Sequence, residues 1–196
     1  MPWLYRTYNY GPVTTDIASN FEATAIYELP FGKGKRWVTS GMAASIFGGW
    51  QLSGLFSDFS GRPFSVVANN NLNANGSFQF ANCIAAPQQK GALLQWYAPS
   101  SFAVPAGTSF GNCGQDALRG PGLINGDAGI EKKFVFRERF NFAFRTEMFN
   151  VGNTPHHANP INNVQNSSFM AITSIANTGR DGIDQRTVRF SLKMTF

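Results

Sequence analysis

The feature that most constrains this chain is a run of strict alternation at its C-terminus. Val188, Phe190, Leu192, Met194 and Phe196 take every second position, and Thr187, Arg189, Ser191, Lys193 and Thr195 fill the places between. Successive side chains of an extended strand point to opposite faces, so the segment is apolar on one side and polar on the other. As a helix it would scatter the same apolar residues around the whole cylinder. A tilted strand of about 9–11 residues crosses a bilayer, and residues 185–196 are long enough to do so.

The same period recurs upstream. In residues 140–150, Phe140, Phe142, Phe144 and Met148 share a face with Thr146, while Asn141, Ala143, Arg145 and Glu147 take the other. In residues 127–136, Ala128, Ile130, Phe134 and Phe136 share a face that Lys132 interrupts. Lys132 sits near the strand end, where a lysine can snorkel its ammonium to an interface. Arg137-Glu138-Arg139 joins these two segments as a tight hairpin. Residues 21–29 alternate Phe21, Ala23, Ala25 and Tyr27 against Glu22, Thr24, Ile26 and Glu28; residues 49–59 alternate Trp50, Leu52, Gly54 and Phe56 against Gln51, Ser53, Leu55 and Ser57. Each stops at a cluster of Gly and Pro. The expectation is an all-β fold, an antiparallel meander of about five long strands. A soluble sandwich would turn the phenylalanines inward, whereas a barrel wall would turn them to lipid and leave Arg and Glu in water.

Charge separates some classes. Only 14% of residues are charged, against about 25% in soluble domains, which fits membrane contact or a secreted all-β domain. The net charge is +5, but Lys33, Lys35 and Arg36 form only a small group at a Gly-rich turn. No basic stripe is interleaved with aromatics, so no nucleic-acid partner is expected. Residues 37–57 carry no charge, yet Gly41, Gly48, Gly49 and Gly54 and several polar residues break them up, so a transmembrane helix is not expected there. Met1-Pro2-Trp3-Leu4-Tyr5-Arg6 lacks the basic and apolar regions of a signal peptide. Either the chain is not exported, or its export signal lies upstream.

The connections differ in length. Residues 60–126 and 151–184 form links of about 65 and about 35 residues, rich in Asn, Gly, Ser and Pro, whereas the Arg137–Arg139 link is minimal. The link from the first strand to the second is intermediate, with room for an amphipathic or short strand segment. Outer-membrane barrels show this asymmetry, long loops outside and short turns in the periplasm. The expected orientation places 60–126 and 151–184 outside, the Arg137–Arg139 turn inside and Phe196 at the periplasmic rim.

Several strings, taken in order, carry a resemblance. They are Tyr27-Glu28-Leu29-Pro30-Phe31-Gly32-Lys33-Gly34-Lys35-Arg36, Gly49-Trp50-Gln51-Leu52-Ser53-Gly54, Ser60-Gly61-Arg62-Pro63-Phe64, Leu118-Arg119-Gly120-Pro121-Gly122, Phe144-Arg145-Thr146-Glu147-Met148-Phe149-Asn150-Val151-Gly152-Asn153-Thr154-Pro155 and Arg189-Phe190-Ser191-Leu192-Lys193-Met194-Thr195-Phe196. Together they resemble the C-terminal strands of TonB-dependent outer-membrane transporters, in the group with an N-terminal carboxypeptidase-regulatory-like domain. The resemblance implies a transmembrane barrel of about 22 strands around a plug, of which this chain would be the C-terminal part, with plug domain and signal peptide absent. It implies a cell outer membrane location and energised uptake. The partners would be outer-membrane lipid, the barrel assembly machinery, TonB through the missing N-terminal region, and an unknown small-molecule or oligosaccharide substrate. The last strand resembles the signal read by that machinery, through Phe190, Leu192, Met194 and Phe196. Phe140, Phe142 and Phe144 would join them against lipid. The alternatives are a secreted soluble β-sandwich carbohydrate-binding module and a small autonomous outer-membrane barrel with further strands near residues 64–67 and 169–175.

The remaining candidates are few. Cys83 and Cys113 lie about 30 residues apart in the long link, where oxidising surroundings favour a disulfide over two free thiols. Arg145, Glu147, Arg189 and Lys193 are the candidate lumen residues; Arg145 and Glu147 could line a substrate path or form wall-to-plug or cross-strand ion pairs. His156 and His157 are adjacent and cannot easily converge on one metal, and they read as part of a turn. Asp58, Asp116, Asp127, Asp181 and Asp184 lack the spacing of a calcium loop. Asn69-Asn70-Asn71-Leu72-Asn73-Ala74-Asn75 reads as hydrated loop. No nucleophile–base arrangement or phosphate-binding loop stands out, so neither an enzyme nor a cofactor is expected.

Overall fold

A computed structural model of the chain describes residues 3–69, 78–136, 140–176 and 185–195. The first strands are β1 (Asn20–Glu28) and β2 (Trp50–Phe59), with a short helix α1 (Gly41–Phe47) between them. Eight short strands follow: β3 (Pro63–Phe64), β4 (Val67–Asn69), β5 (Phe78–Phe80), β6 (Asn82–Cys83), β7 (Gln89–Ala92), β8 (Gln95–Tyr97), β9 (Phe102–Ala103) and β10 (Leu118–Arg119). The long strands resume with β11 (Leu123–Phe136), β12 (Phe140–Phe149) and β13 (Thr187–Thr195). The expected all-β antiparallel fold is the observed one. Each of the five alternating segments forms a strand, with ends shifted slightly; β11 begins at Leu123 rather than Asp127. No helix among the described residues is long and apolar enough to cross a membrane.

The chain divides into two compact units. The sheet unit comprises Phe21–Asp58, Ile124–Pro155 and Thr178–Phe196. Its strands form one sheet in the order β1-β2-β11-β12-β13. The long strands pair in chain order, with β3 to β10 intervening between β2 and β11, and side-chain alternation sets the register, because a slip of one residue would exchange the two faces. The backbones of β2 and β11 meet closely where β2 begins. Lys133 N donates to Gly49 O at 2.9 Å, and Gly49 has φ +74 with no room for a Cβ beside the Lys133 carbonyl. Glycine is the residue that accepts both conditions.

The second unit comprises Met1–Asn20, Phe59–Leu123 and His156–Asn177. It takes in much of the two long links. Its short strands form four two-stranded ladders, β3 with β10, β4 with β5, β6 with β9 and β7 with β8. Phe64, Val66, Ala81, Tyr97, Phe102 and Met170 pack into a buried core there. Met170 comes from the second long link and the others from the first, so the two links fold on each other. Met170 donates its N–H to Ile161 O and accepts from Trp96 N, both at 2.8 Å. The Phe102 and Phe169 rings meet edge to face at 5.7 Å. The core was hidden from a periodicity reading because its apolar residues are spaced irregularly among Asn, Gly and Ser. The short strands near residues 64–67 join ladders of their own and not the five-stranded sheet.

Candidate functional site

The functional geometry of the sheet unit lies in its two faces. On one face, Phe134, Phe142 and Met194 are direct partners across β11, β12 and β13, as are Lys132, Phe144 and Leu192 one step along. Ile130, Thr146 and Phe190 form the next row, and Ala128, Met148 and Val188 the last. Phe134 stacks on Phe142 within its row at 5.2 Å, and Phe144 stacks on Phe190 of the neighbouring row at 6.5 Å. Phe190 is 71% and Leu192 67% exposed. This is a broad apolar surface outside any core of the described residues. It runs against the sandwich alternative, which needs these phenylalanines inside.

The opposite face is charged. Lys133, Ala143 and Lys193 form one row, Glu131, Arg145 and Ser191 the next, and Gly129, Glu147 and Arg189 the third. Arg145 and Glu147 form an ion pair of 2.7 Å along β12. Lys133 bridges Glu131 in the same way at 2.9 Å. Glu147 lies directly across from Arg189, whose guanidinium sits 5.0 Å from the Phe149 ring. The rows thus bring Arg145, Glu147, Arg189 and Lys193 to one side, opposite Phe142, Phe144, Phe190, Leu192 and Met194. The groove along this charged side, about 730 Å³, is lined by Glu131, Lys133, Asn141, Arg145, Ser191 and Lys193 among others.

Lys132 is a charge on the apolar face, the direct partner of Phe144. Its Nζ donates to Ser45 O at 2.9 Å and to Ile46 O at 2.5 Å, in the last turn of α1. It also sits 5.0 Å from the Trp50 ring centre. A second cluster was not apparent from the sequence. Asp127 Oδ1 accepts from Asn125 Nδ2 at 2.9 Å and from Asn150 N at 3.0 Å. Asn150 in turn accepts from Thr154 N through Oδ1 and donates through Nδ2 to Thr154 O. This cluster ends β12 with Asn150 in the left-handed region at φ 48, a conformation that asparagine tolerates better than most residues. The only trace of it in the sequence is the string Asn150-Val151-Gly152-Asn153-Thr154-Pro155.

Cys83 and Cys113 are joined as a disulfide with Cα atoms 4.9 Å apart. His156 is buried, at 2% exposure, and His157 bridges to Ile175 through the backbone; both belong to the unit of short ladders. Asp116 accepts from Ser65 Oγ at 2.8 Å. Among the described residues no three His, Cys, Asp or Glu side chains come together. Phe196, the Arg137–Arg139 turn, Asp181, Asp184 and most of the Asn-rich run lie outside the described residues.

A meander of long antiparallel strands, apolar on one face and charged on the other, defines a wall of membrane-barrel type. The chain belongs to the outer membrane beta barrel domain family, whose model matches residues 2–189, and the outer membrane is its location. Comparison with curated proteins finds no match, and comparison with solved structures finds none.

Proposed function

We propose that this chain is the C-terminal part of the barrel of a TonB-dependent receptor that takes up its substrate across the outer membrane. The observation that carries this reading is the open sheet. Among the described residues β1 and β13 are the two edges of one five-stranded sheet and do not pair with each other. A barrel needs about eight strands or more to close, and unpaired edges in lipid cost several kcal/mol per orphaned group. Further strands therefore continue the wall beyond both edges. In this reading the Phe144–Phe190 side faces lipid and the Arg145–Glu147 side faces the lumen, where its charges meet water, plug or passing substrate. The folded links 60–126 and 151–184 are extracellular, and the short turns are periplasmic. The chain's part in the whole is to close and shape the wall and to present the last strand to the assembly machinery. It has no catalytic role and holds no cofactor. TonB acts on the N-terminal region of the same polypeptide.

The test is an antibody raised against residues 78–123, applied to outer membranes of the source cells. A transporter gives a band several times the 21.5 kDa of this chain, and that species crosslinks to TonB. A self-contained barrel gives a heat-modifiable band near 21.5 kDa and no TonB adduct.

A further inference from the structure

The segment between β1 and β2 carries exposed apolar residues that the barrel wall does not use. Helix α1 buries no residue. Met42 is 81%, Phe47 56% and Ile46 53% exposed. The helix ends at Gly48, whose N–H caps it on Ala44 O at 2.9 Å, and Gly48 packs on the Gly32 backbone with no room for a side chain between them.

Two side chains fix which side of the sheet α1 occupies. Trp50 Nε1 donates to Ile46 O at 3.0 Å, and Lys132 Nζ reaches Ser45 O and Ile46 O. Lys132 is the direct partner of Phe144 on the apolar face, and Trp50 alternates in phase with Leu52 and Phe56. The helix is therefore held by the apolar face and continues it past the ends of β2 and β11. The cation of Lys132 also suits the partial negative charge of a helix C-terminus.

The turn before the helix adds the chemistry of a membrane interface. Trp37 is exposed. Its ring meets Phe31 at 5.7 Å and lies under the Arg36 guanidinium at 5.5 Å. Lys33 is exposed, and Lys35 is bridged to Glu28 at 2.6 Å. Residues 30–49 carry three cations and no acid. Tryptophan settles at headgroup depth, basic side chains draw anionic lipid, and an apolar helix face sinks into the boundary beneath them.

We infer that residues 30–49 form an interfacial foot, in which Met42, Ile46 and Phe47 enter the phospholipid leaflet at the short-turn end of the barrel while Lys33 and Arg36 meet lipid phosphates. The occupant is lipid because the foot is continuous with the apolar wall and charged for phosphate. This inference rests on the reading that the Phe144–Phe190 side faces lipid.

The experiment uses spin labels in the intact outer-membrane protein, reconstituted in phosphatidylethanolamine–phosphatidylglycerol vesicles. Met42→Cys and Phe47→Cys are compared with Phe190→Cys and Ser191→Cys; the Cys83–Cys113 disulfide leaves no other thiol among the described residues to react. Collision with dissolved oxygen is expected to exceed collision with an aqueous nickel chelate at positions 42, 47 and 190, and to fall below it at 191. Nickel access at 42 and 47 equal to that at 191, with 190 still lipid-exposed, overturns the foot and leaves the barrel wall standing. Shielding of 42 and 47 from both reagents also overturns it, since a protein partner then covers the helix. Nickel preference at 190 overturns both readings. In a second measurement, a lipid brominated near the headgroup should quench the unsubstituted protein more than Trp37→Phe, and equal quenching would overturn the foot.

Discussion

Phe144 stacks on Phe190 across the β12–β13 pair, with ring centroids 6.5 Å apart and ring planes 20° from parallel. One residue further along each strand, Arg145 and Ser191 are direct partners on the other face. A single step along the chain thus passes from a surface suited to hydrocarbon to one suited to water.

That step predicts opposite outcomes for the same substitution. Phe190→Arg places a cation in the apolar face, at a cost of about 2–4 kcal/mol if the site lies near the bilayer midplane. The variant should lose heat-modifiable migration and accumulate unassembled. Ser191→Arg, beside it on the charged face, should assemble normally. Normal migration of Phe190→Arg would place that face elsewhere.

A second prediction concerns Asn150, which is 1% exposed and left-handed at φ 48. Asn150→Ala removes both hydrogen bonds to Thr154 and puts an alanine where the backbone disfavours one. The expected loss is about 2–4 kcal/mol, measured as a lower urea midpoint of the folded protein in detergent. Asn150→Gly relieves the backbone and should lose less.

The wall is legible in the sequence, and the folded links are not, for a physical reason. A two-sided strand writes its environment at period two, and Val188, Phe190, Leu192 and Met194 alternate without an exception. Phe64, Tyr97, Leu118 and Met170 belong to short ladders and loops in which each residue answers to a different neighbour, so no period records their burial. Lys132 is a mixed case. Its break in the apolar pattern is visible, and snorkelling accounts for a lysine there, but its partners in α1 emerge only when β2 and β11 lie side by side. The same holds for Asp127 and Asn150, which are 23 residues apart in sequence.

The core of the second unit gives the third prediction. Met170 is fully buried at 0% exposure and packs with residues from the other long link. Met170→Ala should destabilise this unit by about 2–5 kcal/mol. Limited proteolysis in detergent should then cut faster within residues 78–123 as well as near position 170. Faster cutting near 170 alone would mean that the two links fold independently.

The fourth concerns the disulfide, which closes a loop of 30 residues. Replacing Cys83 and Cys113 with serine should cost about 2–4 kcal/mol and raise protease sensitivity in the unit of short ladders. The sheet unit should keep its heat-modifiable behaviour, because no wall strand depends on the cross-link.

Alternate residues of β13 face lipid and water in the proposed wall. Single cysteines placed in turn from Thr187 to Thr195, in the protein as assembled in outer membranes, test it most directly through reaction with a water-soluble maleimide. Reaction is expected at Arg189, Ser191 and Lys193, and protection at Val188, Phe190, Leu192 and Met194. Uniform reaction along the strand, or alternation of the opposite phase, would contradict it.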